Sequence, residues 1–309
     1  MTIRLFIDGA AGTTGLEIRE RLAGRSEFEL IVLDDTRRKD ESARRDALHA
    51  ADVAILCLPD EAAKEAVMLA EGSGTRIIDA SSAHRVAEGW TYGFPELIGR
   101  EAIANAQFVS NPGCYPTGFL AAVAPLVRAG LLPADWPYTI NAVSGYSGGG
   151  TALIERFETD SDIAFRAYGL SLGHKHLPEM QAYAGLRHPP VFSPAVVPAH
   201  RGMVVDVPLA LSAMSARPDL ATLRAALAAH FDGNPVVAVD RAEEPPAEVL
   251  LRADTAPWDG MRLHVFGNAE GTQARLVARL DNLGKGASGA AIQNLNIMCG
   301  LPETAGLRL

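Results

Sequence analysis

A short apolar run that passes straight into three spaced glycines and then into a helical pattern leaves a chain few folds to choose from. Ile3 to Asp8 (Ile-Arg-Leu-Phe-Ile-Asp) reads as a strand, Gly9-Ala10-Ala11-Gly12-Thr13-Thr14-Gly15 as a turn, and the residues through about Leu22 as a helix. Strand, glycine turn and helix in that order open a dinucleotide-binding fold. The glycine spacing is G-x-x-G-x-x-G rather than G-x-G-x-x-G. Its physical work is the same: the backbone can approach a pyrophosphate, and the helix N-terminus faces the charge. Gly9, Gly12, Thr13, Thr14 and Gly15 are therefore expected to bind a cofactor.

The alternation continues. A second strand, Phe28 to Leu33, ends at Asp34-Asp35-Thr36-Arg37-Arg38-Lys39. An acid at this place takes the ribose hydroxyls of NAD, and a nearby arginine accommodates the 2′-phosphate of NADP. Three consecutive cations favour NADP(H), with Arg37 as the contact; a solvated charged loop is the plainer alternative. Val53 to Leu58 is a third strand, stopped by Pro59. Asp60 is expected to cap the next helix and Lys64 to pair with it. Cys57 lies inside that strand as a core residue. The strand Thr75 to Asp79 leads into Ala80-Ser81-Ser82-Ala83-His84-Arg85, a loop at the ligand edge of a parallel sheet, where Arg85 is a candidate anion contact. Strand–helix repetition of this kind builds a parallel sheet with helices on both faces.

A single cysteine then sits between a strand, Gln107 to Ser110, and a helical run, Phe119 to Leu132, in Ser110-Asn111-Pro112-Gly113-Cys114-Tyr115-Pro116-Thr117-Gly118. Pro112 and Gly113 block regular structure before it, and Pro116 fits a first helical turn. Cys114 is thus expected at a helix N-terminus, where unpaired N–H groups favour a thiolate, the nucleophilic form. Most free cysteines are small buried hydrophobes; the flanking Pro-Gly and Pro-Thr-Gly favour a reactive thiol.

Beyond this helix the pattern changes. Tyr138 to Val143 is a strand, and Gly145 to Gly150 a glycine-rich loop that either holds a phosphate or makes a tight turn before a helix at about Thr151. The loop lacks G-K-[ST] and is no nucleoside-triphosphate loop. His174 and His176 are two apart, not at the helical i, i+4 metal spacing, and no third ligand is evident, so no metal is expected. An acid/base histidine serving Cys114 is the better reading, with Glu179 able to orient His176. Extended segments from Pro190 to Leu211, broken at Ala199-His200-Arg201-Gly202, join Val236 to Asp240, Leu263 to Gly267 and Ala274 to Leu280 in a second, mixed and mostly antiparallel sheet, with Pro218 to Phe231 a helix on it. Arg201 is a second anion-contact candidate. From Asp281 a small-residue stretch opens a last helix, to about Cys299, that fits beside the first glycine turn; Gly286 and Ser288 there are expected at the cofactor. The fold class is α/β: a Rossmann-type parallel-sheet domain, 1–113 plus 285–309, and a mixed α+β domain that carries the candidate catalytic groups, 114–284.

Composition narrows the partners. A formal net charge of -9 over 309 residues argues against a nucleic-acid or membrane surface, though not against an anionic substrate held by local arginines. The three cysteines form neither a disulfide framework nor a zinc spacing. No stretch reaches the roughly 18 apolar residues of a membrane span, and a cytoplasmic protein is expected.

A thiolate, a reduced-nicotinamide site and cations for an anion converge on one chemistry: attack on an acyl phosphate, then reduction of the resulting thioester to an aldehyde. The residues that carry this chemistry resemble the N-acetyl-gamma-glutamyl-phosphate reductases. The likeness rests on Asn111 to Thr117, Ser144 to Gly150, His174-Lys175-His176-Leu177-Pro178-Glu179, and Lys285 to Asn294, and runs essentially end to end. Asp79 to Arg85 and Cys57-Leu58-Pro59-Asp60, with the short chain, resemble the family's short, type 2 branch. The resemblance implies NADPH-dependent reduction of N-acetylglutamyl 5-phosphate to the 5-semialdehyde in arginine biosynthesis, with Cys114 as nucleophile, His174 or His176 as acid/base, and a dimer or tetramer. Aspartate-semialdehyde dehydrogenase, a reductase of carrier-linked substrates, and a non-catalytic nucleotide-binding regulator are the rival readings.

Overall fold

The computed structural model describes residues 2–34, 36–242 and 245–309, which fall into two compact units: Met1–Gly113 with Ala287–Leu307, and Cys114–Gly286 with Arg308–Leu309. The first unit runs β1 (Ile3–Asp8), α1 (Thr13–Leu22), β2 (Phe28–Ile31), α2 (Glu41–Ala50), β3 (Val53–Leu56), α3 (Asp60–Leu69), β4 (Arg76–Asp79), β5 (Thr91–Tyr92), α4 (Pro95–Ile98), α5 (Arg100–Asn105) and β6 (Phe108–Ser110). Its strands form one sheet in the order β2-β1-β3-β4-β6-β5, parallel at every pairing.

Side chains alternate across that sheet because the strand period is two. Leu5, Ile7, Ile55 and Ile78 face one layer with Ile18 and Leu22 of α1; Phe6, Ala54, Leu56 and Ile77 face the other with Leu48, Ala63 and Ala66 of α2 and α3. Both faces are thus covered by helices, as parallel sheets require. The start of α3 differs from expectation. Pro59, not Asp60, is its N-cap, and Lys64 pairs with Glu61 at 2.7 Å. The Asp60 carboxylate instead accepts from Ser82 N and Oγ, at 2.9 and 2.7 Å, because the loop after β4 presents two donors to it.

The second unit begins with α6 (Cys114–Arg128), followed by β7 (Thr139–Gly145), α7 (Thr151–Thr159), β8 (Arg166–Ala167), α8 (Leu177–Ala184), β9 (Val191–Val197), β10 (Met203–Leu209), α9 (Leu220–His230), β11 (Val237–Val239), β12 (Met261–Gly267) and β13 (Ala274–Leu280). These strands make a mixed sheet, β11-β12-β13-β10-β7-β9-β8, in which β7–β9 and β11–β12 are parallel and the rest antiparallel. α6 lies directly on it: a Cβ added at Gly118 would come within 2.8 Å of Val205 Cγ2. The helix stops short of Leu132 because Gly130 adopts φ +70° and Leu131 N–H turns back to Leu126 O at 2.9 Å. A wider helical turn, Gly284–Ser288, then leads into α10 (Gly289–Met298), which returns to the first unit and buries all of its residues there. Among the described residues no helix is long and apolar enough to cross a membrane.

Candidate active site

In the first unit the glycine turn is sterically enforced. Gly9 has φ +85°, and a Cβ there would lie 2.3 Å from Cys57 O; at Gly15 it would lie 2.6 Å from Gly9 O. Gly12 is different. A Cβ there meets nothing nearer than 3.5 Å, so the protein leaves that side of the turn open. Gly12 is the N-cap of α1, no side chain caps the helix, and its first turn, with Thr13 and Thr14, carries no acid. This is a cradle for an anion. A cavity of about 330 Å³ adjoins it, lined in part by Asp8, Arg19, Leu33, Arg38, Lys39 and Arg44.

Cations after β2 therefore face a cavity, but Arg38 and Lys39 line it and Arg37 does not, although all three are exposed. The Asp34 carboxylate is turned into its own loop: Oδ1 accepts from Thr36 Oγ1 at 2.6 Å, Thr36 N and Arg37 N, which holds its carboxyl below the usual range, the Thr36 hydroxyl contributing most. Asp35 lies outside the described residues. Arg44 Nε reaches Asp8 Oδ2 at 3.0 Å and its Nη1 reaches Glu65 Oε2 at 3.0 Å. Burial raises the Asp8 carboxyl pKa against the opposing pull of that guanidinium. Cys57 lies one residue past β3, which ends at Leu56, and is half-buried against the core, its thiol pushed up to about 12 by burial. Arg85 is buried, with Nε on Asn111 O at 3.1 Å. Ser288, fully buried, precedes α10, and Asn294 Oδ1 further along is a buried acceptor without a hydrogen-bond donor.

In the second unit Cys114 is the first residue of α6 and half-buried. Gly286 packs onto it: a Cβ there would lie 2.8 Å from Cys114 Cβ. Tyr115 OH donates to Ala195 O at 3.2 Å and accepts from Tyr168 OH at 3.3 Å. Burial first, then negative charge on nearby Cys114, push the Tyr168 phenol up to about 12, against the pull of the Tyr115 hydroxyl. His174 and His176 join the same cluster. Their ring centroids are 4.7 Å apart, and those of Tyr115 lie 6.2 and 5.9 Å from them. His176 N–H donates to His174 Nδ1 at 3.2 Å, which leaves Nε2 as the nitrogen through which His174 can exchange a proton. His176 is buried and is the N-cap of α8; Glu179 is buried in that helix's first turn.

Arg201 is buried at the bend before β10, its Nη1 on Asp281 Oδ2 at 3.0 Å. Asp281 is itself fixed by Trp258 N and Leu283 N. The glycine-rich loop resolves as a tight turn: Gly145, Tyr146 and Ser147 N–H groups bond to Gly202, Ala199 and His200 carbonyls at 2.8, 2.9 and 3.1 Å. The structure thus gathers Cys114, His174, His176 and Gly286 with Arg201 in one unit, and the glycine turn, Arg37, Arg85 and Ser288 in the other. Sequence reasoning passed over Tyr168 and Asp281. Tyr168 sits in a connector with no period to mark it, and Asp281 opens a stretch read only for its small residues.

Known proteins place the chain. The domain described as "Semialdehyde dehydrogenase, NAD binding domain" matches residues 4–106, and "Semialdehyde dehydrogenase, dimerisation domain" matches residues 114–282. The N-acetyl-gamma-glutamyl-phosphate reductase 2 of Nostoc sp. is 51% identical across 98% of this chain and 99% of its own. The N-acetyl-gamma-glutamyl-phosphate reductase of Brucella ovis is 52% identical across 97% and 100%. Among solved structures, aspartate semialdehyde dehydrogenase II of Vibrio cholerae superposes with a TM-score of 0.72 at 18% identity over 97% of this chain and 99% of that one. The enzyme of Francisella tularensis gives 0.73 at 15% over 96% and 100%; both likenesses are of fold. The chain belongs to the N-acetyl-gamma-glutamyl-phosphate reductase family and carries both domains of the semialdehyde dehydrogenases.

Proposed function

We propose that this protein reduces N-acetyl-L-glutamyl 5-phosphate to N-acetyl-L-glutamate 5-semialdehyde, with NADPH as reductant and release of phosphate, in arginine biosynthesis. The observation that carries the reading is Cys114 at the first position of α6, backed by Gly286 and grouped with the tyrosine and histidine rings. The helix N-terminus favours the thiolate. Its sulfur bonds to the acyl carbon, the C–O bond to phosphate breaks, and phosphate leaves with that electron pair. Reduced nicotinamide, when bound, supplies a hydride. The C–S bond then breaks, the aldehyde departs, and the thiolate is regenerated. His174, through Nε2, manages the thiol proton, with the His176 main-chain N–H holding its Nδ1, and Arg201, held by Asp281, faces an anionic group of the substrate.

The chain's own residues fit the cofactor. The open side of Gly12 and the uncapped start of α1, with Thr13, Thr14 and the sterically required Gly9 and Gly15, would hold the pyrophosphate. Arg38 and Lys39 would take the 2′-phosphate, with Arg37 beside them. Gly286 supports the thiol, and Ser288 and Asn294 lie where α10 begins and continues. The matched dimerisation domain supports a homo-oligomer, a dimer or tetramer, and Leu170, 81% exposed on that unit, is an apolar side chain to cover. The working compartment is the cytoplasm.

The test runs the reaction backwards. Purified protein, N-acetylglutamate 5-semialdehyde, phosphate and NADP are mixed and the reduced cofactor is read by absorbance, with aspartate semialdehyde in parallel. Turnover with the acetylated aldehyde alone, and only with phosphate, is expected, and Cys114→Ser should abolish it while NADPH still binds. Turnover with aspartate semialdehyde would move the protein to the sister activity.

A further inference from the structure

The cavity beside the glycine turn suits an anion, yet a carboxylate lines it. Asp8 ends β1 and shares a face with Phe6, toward α2 and α3, because strand side chains alternate. It stands immediately before Gly9 and is 3% exposed. A buried carboxylate is poorly screened by water, so left alone it repels any phosphate brought to the start of α1.

Arg44 meets this charge. In α2 the buried positions are Ala43, Arg44, Ala47 and Leu48, one face of the helix, so the guanidinium stands where an apolar side chain would ordinarily pack. Its Nε and Nη2 both lie 3.0 Å from Asp8 Oδ2, and its Nη1 lies 3.0 Å from Glu65 Oε2. Nη2 also reaches Ala62 O at 3.4 Å. All three nitrogens are therefore engaged within the first unit. Glu65 is half-exposed and solvated, so it orients the guanidinium while Asp8 takes most of its charge. Two other cations of the cavity differ. Arg19 and Lys39 are exposed, and among the described residues neither pairs with a carboxylate.

We infer that Arg44 is a positioning residue of the cofactor cavity, which neutralises and holds Asp8 so that the phosphates of a dinucleotide can enter, and which makes no bond to the cofactor itself. Its charge is spent inside the protein, whereas those of Arg19 and Lys39 remain available to a ligand. The inference rests on the reading that this cavity holds NADP(H), but it is tested by binding and not by turnover.

The experiment titrates NADPH, NADH and adenosine into wild type, Arg44→Gln, Asp8→Asn and the double variant, with circular dichroism and the melting temperature recording the fold. Arg44→Gln should weaken NADPH and NADH by similar factors, roughly 10-fold or more, because the uncovered carboxylate repels the pyrophosphate that both carry. Adenosine, which has no phosphate, should change by less than about twofold. Adding Asp8→Asn to Arg44→Gln should return both dinucleotides to within about threefold of wild type, since neither charge then remains. Asp8→Asn alone leaves the arginine's charge unspent and should bind both at least as tightly as wild type. A loss confined to NADPH would make Arg44 a 2′-phosphate contact and overturn the inference. An equal loss of adenosine, the mark of a collapsed cavity, would overturn it too, as would a double variant no better than Arg44→Gln. If Arg44→Gln does not fold, the other two variants decide: both should hold NADPH and NADH, and weakened binding in either would show that Asp8 or Arg44 touches the ligand. Wild type that bound neither dinucleotide would remove the reading of the cavity itself, and the inference with it.

Discussion

Arg37, Arg38 and Lys39 carry the same charge on adjacent residues, yet only the last two line the cavity beside the glycine turn. The difference comes from Asp34, whose Oδ1 gathers Thr36 and Arg37 N–H and so fixes which way the loop faces. Replacing Arg38 and Lys39 with glutamine should weaken NADPH about tenfold or more, since charge-assisted bonds to phosphate are worth roughly 1.5–3 kcal/mol. NADH, which lacks the 2′-phosphate, should be nearly unaffected, and Arg37→Gln should change either cofactor less than about twofold. Fluorescence titration decides it; equal losses for both cofactors would remove the phosphate role. The two histidines divide on similar grounds. Half-buried His174 has Nδ1 engaged by His176 N–H, which leaves Nε2 for the proposed proton exchange. His174→Asn should therefore lower kcat by roughly 100-fold or more and flatten the pH–rate profile, whereas His176→Asn should chiefly lower stability. The reverse pattern would transfer the acid/base role to His176. That a cation cluster follows the second strand and that two histidines stand two apart was legible from the residues. Which cations line the cavity and which histidine nitrogen is engaged was not, because side-chain direction depends on hydrogen bonds to main-chain atoms that no residue pattern records.

At the scale of the element, α6 was legible at one end and not at the other. Pro112, Gly113 and Pro116 mark its start, and it begins at Cys114. Its end lies at Arg128 because Gly130 adopts a left-handed conformation, while the apolar spacing runs on to Leu132. The small residues that open the last helix predict a close approach to the first glycine turn, not to the nucleophile. In the structure Gly286 is pressed against the Cβ and Cα of Cys114, at 2.8 and 3.3 Å from where a methyl group would sit. Gly286→Ala must therefore shift the first turn of α6. A displacement of about 1 Å at a nucleophile costs on the order of 100-fold in rate. The variant should lose that much kcat while NADPH affinity stays within about threefold, and wild-type turnover would show that the turn yields without cost to the thiol.

The whole chain was legible as strand–helix alternation followed by a mixed sheet, because periods of two and of three to four residues are local properties of the sequence. The strand order β11-β12-β13-β10-β7-β9-β8 was not, since the parallel pairing of β7 with β9 joins segments about fifty residues apart through side chains that carry no label for one another. The return of α10 to the first unit has the largest energetic consequence. Ile292, Leu295, Ile297 and Met298 all enter the core beneath β1, β3 and β4, each at most 4% exposed. Burying one such side chain contributes about 1.5–3 kcal/mol, so these four together match the roughly 5–15 kcal/mol by which a whole domain is stable. The N-terminal 113 residues, although they contain the entire parallel sheet, should not form a stable cofactor-binding unit without the last helix. Truncation after Gly286 should abolish NADPH binding, and Leu295→Ala in the full chain, at about 2–5 kcal/mol for a buried leucine, should weaken it and lower the melting temperature. Calorimetry with and without NADP makes the check quantitative. A saturating cofactor at about 100 times its Kd returns roughly 2.7 kcal/mol, so it should recover part of the Leu295→Ala loss. A truncated chain that still bound NADPH tightly would mean that the sheet and its first five helices suffice, and that α10 serves the nucleophile's turn instead.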